Sequence, residues 1–501
     1  MPTEPDALVL ERFRAGIAAR MGLTFDDNRA SSLATVLNER ATATRLSLER
    51  YVEQFPTCAQ TELHEIARSL TVPETYFFRN QAQLDACMEG AVPACLERRH
   101  HSGLRILSAA CASGEEPYTL AILLRERWPA AAARTKILGV DINQTMLQRA
   151  HKARYTAWSL RETPAGLKER YFQKEGADFL LDASIREAVA FESINLVEPE
   201  PMQLLESSYD IVFCRNALMY FTPEQFARAV GRLARALVPG GFFFLGSAET
   251  LRGVTQDFHL CHAGDAFYYQ RKEGPLRSWS PPPNSETVAV ESPTRLELPP
   301  LNDRWYDAIT QSADRVNALH AVSPPRAGPV SAEGKTIRTA QLLPLIETER
   351  FAEALTLLQN AAPSDDPDQA LLQAVVAAQA GRFDTARGLC DAILQRDELN
   401  AGAQYVLALC YEHAGDADRA IYHDQLSAYL DPGFAMPRVH LGLLHKRRGD
   451  VSAAGRELRE ARKLIEREDA SRLLLFGGGF GRAALLALCD AELARGTRER
   501  Q

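Results

Sequence analysis

The spacing of apolar and polar residues divides the chain into parts of different character. Residues 1–70 carry apolar positions at helical spacing, which predicts an all-α N-terminal domain. Residues 71–272 alternate short apolar runs with helical stretches, as expected for an α/β domain with a doubly wound, Rossmann-like sheet. Residues 336–495 are helical again. The pattern therefore predicts a multidomain protein.

Apolar runs in the α/β part mark its strands. Strands are predicted at 106–111, 136–140, 191–196, 209–214, 242–245 and 266–272. A helix should start at Thr222, because Thr caps a helix and the next residue, Pro223, suits its first position. This helix is expected to run to Leu237 and to stop at the segment 238–241, which contains Pro and two Gly.

The helical C-terminal part repeats itself. Gly381, Gly415 and Gly449 open matching segments at a spacing of 34 residues, and an earlier copy begins at Glu349. A 34-residue period with Gly between two helices is the signature of tetratricopeptide (TPR) repeats. We expect an α-solenoid whose groove binds a protein ligand of unknown identity. Residues 273–335, rich in Pro and Ser, are expected to be a linker.

Composition narrows the class of protein. The chain has 501 residues, a formal net charge of −8 and nine cysteines without a C-x-x-C pair. The acidic balance argues against nucleic acid as a partner, since nucleic-acid-binding domains present a basic face. No apolar run approaches the length of a membrane span, and the N-terminus has no signal-peptide core. We expect a cytoplasmic protein without membrane insertion, disulfides or a metal site.

The segment 105–118 is the most informative for function. A buried strand leads into Ala112-Ser113-Gly114, whose small side chains let a ligand approach the backbone, and then into Glu115 and Glu116 in the first turn of a helix. The next strand ends in Asp141, where an acidic residue commonly binds a ribose. Two glutamates suit a ligand that is cationic near the loop, as S-adenosylmethionine is. The alternative is an ordinary strand-turn-helix with solvated glutamates.

With these segments in place, the chain resembles the CheR-type chemotaxis receptor methyltransferases over about residues 5–272. The motifs that carry the resemblance are 74–79, 108–118, 140–143, 193–196, and 213–216 followed by 219–221. The resemblance implies S-adenosylmethionine as cofactor and a glutamate side chain of a chemoreceptor, or of a related coiled-coil signalling protein, as methyl acceptor. The product would be a γ-glutamyl methyl ester.

The resemblance also implies a role for each matching residue. Its motifs place Thr75 and Arg79 at the edge of the site and Tyr220 near the methyl group. At the methionine end of the cofactor they place Glu115 and Glu116, with Arg215 and Asn216 under the methionine moiety. Asp141 would lie on the ribose, and Asn195 and Leu196 beside the adenine. Arg79 and Tyr220 are the candidate catalytic residues. A glutamate acceptor is already ionised at neutral pH, so the reaction needs alignment rather than a general base.

Two departures from the family pattern stand out. Pro73 occupies a position where the family often has Asn, so a side-chain contact expected there is missing. The region 171–182 is short and has one glycine where members that bind the tail peptide of a receptor have two. This departure favours the TPR repeats, rather than this region, as the part that tethers the enzyme to its target.

Two other functions stay open at this stage. One is a methyltransferase with another acceptor, although the Asn-Pro-Pro-aromatic motif of amide- and base-methylating enzymes is absent. The other is a signalling scaffold that only senses the cofactor; the presence of Arg79 and Tyr220 argues against it.

Overall fold

A computed structural model describes most of the chain as two compact units, Met1–Pro281 and Pro282–Gln501. The described residues are 5–25, 30–71, 74–99, 103–198, 206–246, 249–263, 266–276, 339–348, 350–359 and 367–498. Pro73 and residues 277–335 of the predicted linker lie outside them. In the described parts of the chain, no helix is both long and apolar enough to cross a membrane.

The first unit begins with a small helical bundle, as the apolar spacing predicts. Its helices are α1 (Ala7–Met21), α2 (Ala30–Thr44), α3 (Leu48–Gln54) and α4 (Gln60–Leu70). Their apolar faces meet around Phe13, Ile17 and Leu63, which are fully buried. The polar faces are joined by Arg40, whose Nη2 lies 2.6 Å from Glu62 Oε2.

The rest of this unit is the predicted α/β domain. Its strands are β1 (Arg105–Ala109), β2 (Lys136–Asp141), β3 (Arg154–Tyr155), β4 (Phe172–Glu175), β5 (Asp178–Leu181), β6 (Val189–Ser193), β7 (Tyr209–Cys214), β8 (Leu237–Leu245), β9 (Phe258–Ala263) and β10 (Ala266–Arg271). Seven strands form one sheet in the order β6-β2-β1-β7-β8-β10-β9. The first five are parallel, whereas β10 runs antiparallel to β8 and to β9. This topology confirms a Rossmann-like fold.

Helices cover this sheet and connect its strands. They are α5 (Gln81–Ala86), a π-helical turn (Cys87–Ala91), α6 (Val92–Arg98), α7 (Glu115–Arg127), α8 (Pro129–Ala132), α9 (Gln144–Lys152), α10 (Ala165–Tyr171), α11 (Ala183–Arg186) and α12 (Pro223–Ala236). The strands β3, β5 and β4 form a separate antiparallel sheet within residues 154–181. Gly176, with a φ of 65°, makes the tight turn between β4 and β5.

The structure differs from the sequence prediction at the start of β8 and at the edge strand β9. Thr222 caps α12 as predicted, but the helix passes directly into β8 at Leu237 without an intervening loop. Tyr209 pairs with Leu237 and Ile211 with Phe242, so a bulge absorbs the extra residues, and Gly240 permits it with a φ of 67°. The strand β9 is unpredicted, because this edge strand mixes His and half-buried positions and has no clean alternation.

The second unit is a stack of helix pairs at the predicted period. Its helices are α13 (Thr339–Glu347), α14 (Phe351–Gln359), α15 (Pro367–Gln379), α16 (Phe383–Arg396), α17 (Ala401–His413), α18 (Ala417–Leu430), α19 (Ala435–Arg447), α20 (Val451–Ile465), α21 (Ala470–Phe476) and α22 (Arg482–Arg498). Gly381, Gly415 and Gly449 sit in the turns with φ of 73°, 80° and 81°. The helical repeats are therefore present as predicted.

A buried polar network joins the third and fourth repeats. His440 Nδ1 lies 2.6 Å from Asp424 Oδ2, and His440 Nε2 lies 2.8 Å from Glu412 Oε2. Burial by itself would lower the pKa of His440, but the two carboxylates outweigh burial and raise it to about 10. Burial raises the pKa of Asp424 to about 6. The imidazolium therefore links three helices, through a charge-assisted hydrogen bond to Glu412 and an ion pair with Asp424.

Candidate functional site

A cavity opens at the carboxyl ends of β1, β2 and β7, where parallel sheets bind ligands. Nine of the ten predicted site residues line it: Thr75, Arg79, Glu116, Asp141, Asn195, Leu196, Arg215, Asn216 and Tyr220. Glu115 is not among the lining residues. These residues are spread over almost 150 positions of the sequence, so the fold, rather than proximity in sequence, brings them together.

The loop after β1 is held in an unusual backbone conformation. Ala110 and Ala112 have φ of 58° and 47°, in the left-handed region that costs energy for residues with a Cβ atom. The Asp141 carboxylate stabilises this loop, because its Oδ2 accepts a hydrogen bond from the Ala112 N–H at 2.9 Å. Burial raises the pKa of Asp141, and the backbone N–H groups of Asn143 and Ala112 oppose the rise. Asp141 thus shapes the loop and faces the cavity.

The two neighbouring glutamates have different environments. Glu115 is 2% exposed, and its carboxylate accepts a hydrogen bond from the Ser113 hydroxyl at 2.8 Å. Burial raises the pKa of Glu115. Glu116 instead accepts from the Ser108 hydroxyl at 2.7 Å and from Arg215 Nε at 2.7 Å. Glu116 therefore carries the negative charge that the cavity presents from this helix, partly balanced by Arg215.

Arg215 connects the sheet to the segment that precedes β1. Its Nη1 donates to the Arg79 carbonyl at 2.8 Å and to Gln83 Oε1 at 3.3 Å. Gln83 in turn donates to the Leu245 carbonyl at 2.7 Å, at the end of β8. These contacts fix the backbone of Arg79 relative to the sheet, so Arg215 positions the candidate catalytic arginine.

The two candidate catalytic side chains are half-buried, and both line the cavity. Arg79 Nη1 donates to the Glu74 carbonyl at 2.9 Å, and its guanidinium carbon lies 5.5 Å from the centre of the Tyr76 ring. Tyr220 ends a short 3₁₀ turn, Leu218–Tyr220, that follows β7. Among the residues that the structure describes, neither side chain has an ion-pair partner, so both can engage a ligand.

The N-terminal helical domain closes one side of the cavity. Residues 22–25 run along the segment after Tyr220: the Thr24 N–H donates to the Tyr220 carbonyl at 2.7 Å, and the Thr222 N–H donates to the Gly22 carbonyl at 2.9 Å. Met21, Leu23 and Phe25 line the cavity. Asn195 strengthens this junction, because its Nδ2 donates to the Arg20 carbonyl at 2.7 Å. We call residues 20–25 the roof segment.

Sequence reasoning missed a buried carboxylate behind the site. Glu249 is 2% exposed. Its Oε2 accepts from the N–H groups of Asn216 at 2.8 Å and Gly246 at 2.7 Å, and its Oε1 accepts from the Met219 N–H at 3.0 Å. Asn216 has a φ of 59°, so the carboxylate holds a strained turn directly before Tyr220. A single glutamate three residues after a glycine gives no periodic signal by which the sequence could reveal this role.

The lining of the cavity fits a ligand with apolar and charged parts. Ile142, Met146 and Leu196 supply an apolar region beside Asp141, which suits a heterocyclic base next to a ribose. Glu116 adds a carboxylate to the lining, which would favour a cationic group. The small side chains of Ala110 and Ala112 leave the loop backbone accessible. This combination of apolar and acidic lining residues fits S-adenosylmethionine.

Comparison with known proteins gives a consistent assignment. Residues 73–267 match the family model described as CheR methyltransferase, SAM binding domain. The chain is 32% identical over 254 residues to a protein of Vibrio cholerae named chemotaxis protein methyltransferase 2, covering 50% of this chain and 88% of that protein. It is 27% identical over 447 residues to a protein of Pseudomonas putida named probable biofilm formation methyltransferase WspC, covering 89% and 96% of the two chains.

A Pseudomonas aeruginosa protein of the same name, probable biofilm formation methyltransferase WspC, is 25% identical over 463 residues, covering 91% of this chain and 99% of that one. The two WspC relatives match the chain across both compact units, including the repeats.

Proposed function

The chain belongs to the CheR family of methyltransferases, and on that premise we propose that it methylates glutamate side chains of a chemoreceptor or a related coiled-coil signalling protein. Members of this family are S-adenosylmethionine-dependent methyltransferases of chemotaxis signalling. The observation that carries the proposal is the single cavity that gathers nine residues of the family motifs around the carboxyl ends of three strands.

S-adenosylmethionine, when bound, supplies an electrophilic methyl group attached to a positively charged sulfur. Asp141 would hold its ribose hydroxyls, Leu196 and Ile142 would flank its adenine, and Glu116 would attract its ammonium group. The acceptor carboxylate oxygen would take up this methyl group in place of the sulfur, which would leave as a neutral thioether. The carboxylate would lose its charge as an ester, and no proton would be transferred.

Arg79 and Tyr220 are proposed to orient the reacting groups. The half-buried Arg79 guanidinium can hold the acceptor carboxylate with two parallel hydrogen bonds, which aligns an oxygen with the methyl group. Tyr220 can place its hydroxyl beside the positively charged sulfur. The roof segment and the loop after β1 would exclude water, which strengthens these electrostatic contacts.

The acceptor and the role of the repeats complete the proposal. The cytoplasmic signalling region of a receptor presents glutamates on a coiled coil, and an enzyme acting there would work in the cytoplasm. The TPR unit would dock a partner protein or regulate the enzyme, because its helices stack into a surface suited to a peptide.

Transfer of a labelled methyl group tests the proposal. The protein should be incubated with methyl-labelled S-adenosylmethionine and purified cytoplasmic fragments of receptors from the same organism. We expect label on the receptor that is released as methanol by mild base, since γ-glutamyl esters hydrolyse readily. A receptor fragment with its candidate glutamates changed to alanine is the control. Base-stable label, or label on nucleic acid, would contradict the proposed acceptor.

A further inference from the structure

The inner face of the repeat stack carries a segment of the chain itself. Helix α21 contacts α13 and α19, the first helices of the first and fourth repeats. Gln379, from the first helix of the second repeat, donates to the Leu475 carbonyl, and Tyr405, from that of the third, donates to the Phe476 carbonyl at 3.4 Å. Residues 470–480, here called the inner segment, thus lie across the groove in which such repeats bind peptides.

The inner segment is held in the way a bound peptide would be. Leu473 is fully buried, and the ring of Phe476 packs edge-on against Phe434 at 4.9 Å between centroids. The Arg472 guanidinium carbon lies 4.0 Å from the centre of the Phe434 ring, and its Nη2 lies 2.7 Å from Asp431 Oδ2. The groove therefore recognises one cation and the apolar residues that follow it.

A second acidic group completes the cation pocket. Arg472 Nε lies 3.3 Å from Glu468 Oε1. Glu468 is itself buried, and its Oε2 accepts a hydrogen bond from the Ala435 N–H at 2.8 Å. Burial raises the pKa of Glu468. Two carboxylates and an aromatic face around one guanidinium form a built site for arginine.

The inner segment is a short helix and a turn between two anchored ends. Before it, Asp469 caps α21 and the chain leaves α20. After it, Arg482 donates to the Ile465 carbonyl at 3.0 Å, and α22 packs against α20. Gly478 and Gly479 have φ of 67° and 90°, so the exit turn depends on glycine. The inner segment can therefore leave the groove while α20 and α22 stay packed against each other.

We propose that the inner segment is an intramolecular ligand of the TPR groove, and that the partner is a short helical peptide with an arginine followed within one turn by leucine and phenylalanine. Such a peptide reproduces the charge and apolar pattern of residues 472–476 and displaces them. The apparent association constant of the partner is then its intrinsic association constant multiplied by the fraction of molecules whose groove is open. This inference concerns the repeats alone and does not depend on the methyl acceptor.

Binding of a labelled peptide tests this proposal on the full chain. The probe is a fluorescent peptide of residues 469–481, and binding is followed by anisotropy. Arg472→Glu places a negative charge between Asp431 and Glu468 and should release the inner segment, so this variant should bind the probe at least about tenfold more tightly than the unchanged chain. Arg456→Glu, a charge reversal at an exposed site on α20, is the matched control and should behave like the unchanged chain.

Two results would overturn the proposal. One is a folded Arg472→Glu variant that binds the probe no better than the control, or that binds equally well a probe carrying glutamate at the arginine position. The other is a result of hydrogen exchange on the unchanged chain, a measurement that does not require the variant to fold. We expect the amides of residues 470–480 to exchange faster than those of α17. If both sets of amides were equally protected, the inner segment would be part of the cooperative core and could not open by itself.

Discussion

The buried carboxylate behind the site gives the sharpest test of how the fold positions Tyr220. Glu249→Gln keeps the size and shape of the side chain but removes its charge and one of its acceptor oxygens. If the amide oxygen takes the place of Oε2, it still accepts from Asn216 and Gly246, but the amide NH₂ then faces the Met219 N–H. One buried donor is left without an acceptor, and the other two bonds lose their charge assistance.

The expected cost follows from these contacts. A buried donor without a partner costs about 1–3 kcal/mol, and the neutral hydrogen bonds are each weaker than charged ones by roughly 1 kcal/mol. Relaxation of the turn offsets part of this sum. We therefore expect the opening free energy of residues 215–220 to fall by about 2–3 kcal/mol, which corresponds to roughly 30- to 150-fold less protection from hydrogen exchange.

Hydrogen exchange and turnover should change together. The variant should show faster exchange at residues 215–220 and a lower kcat, because Tyr220 follows the loosened turn, while the overall fold persists. Glu224→Gln, the same substitution at an exposed position in the first turn of α12, is the control and should leave both quantities unchanged. Unchanged protection and turnover in a folded Glu249→Gln protein would refute the positioning role.

Four further outcomes are expected. Asp141→Ala should weaken S-adenosylmethionine binding, measured by calorimetry, by about 1–3 kcal/mol through lost hydrogen bonds; unaltered affinity would remove the residue from the ribose site. Arg79→Ala and Tyr220→Phe should lower kcat more than cofactor affinity, and a fully active variant would exclude that residue from alignment. Because the pKa of His440 is raised from 6.5 to about 10, protonation of His440 contributes stability to the repeat unit that is present at pH 6.5 and is lost as the pH rises through about 10. His440→Gln should therefore reduce the pH dependence of the unfolding midpoint over that range, and an unchanged slope would contradict the assignment. Truncation after Lys272 should preserve methyl transfer at high acceptor concentration and impair it at low concentration, whereas faster turnover at every concentration would indicate inhibition by the repeats instead.

Much of the architecture could be predicted because its signals are local. The segment 209–214, predicted from its apolar residues, coincides with β7, since a central parallel strand is buried on both faces and favours apolar residues. The cap at Thr222 and the glycines at the repeat turns are equally local, because each satisfies backbone groups or angles within a few residues. The motif residues could be named from the resemblance, and the cavity collects nine of the ten.

Side-chain pairing in the site could not be predicted. The sequence presents Glu115 and Glu116 as two equivalent acids, but the first is buried with Ser113 and the second pairs with Arg215. Adjacent residues at a helix start point in directions about 100° apart, so which one faces the cavity depends on how α7 packs on the sheet. The bulge in β8 likewise depends on its pairing with β7 rather than on its own composition.

The sequence by itself determined most element types and the order of the domains, and through the resemblance it named the candidate site residues. Only the tertiary structure decided that the roof segment closes the cavity, that Glu249 holds the turn before Tyr220, and that residues 470–480 fill the inner face of the repeats. Each of these contacts joins residues that are far apart in the chain. Local propensity and periodicity carry information over one or two turns or one strand, whereas such contacts form only when separate elements pack together.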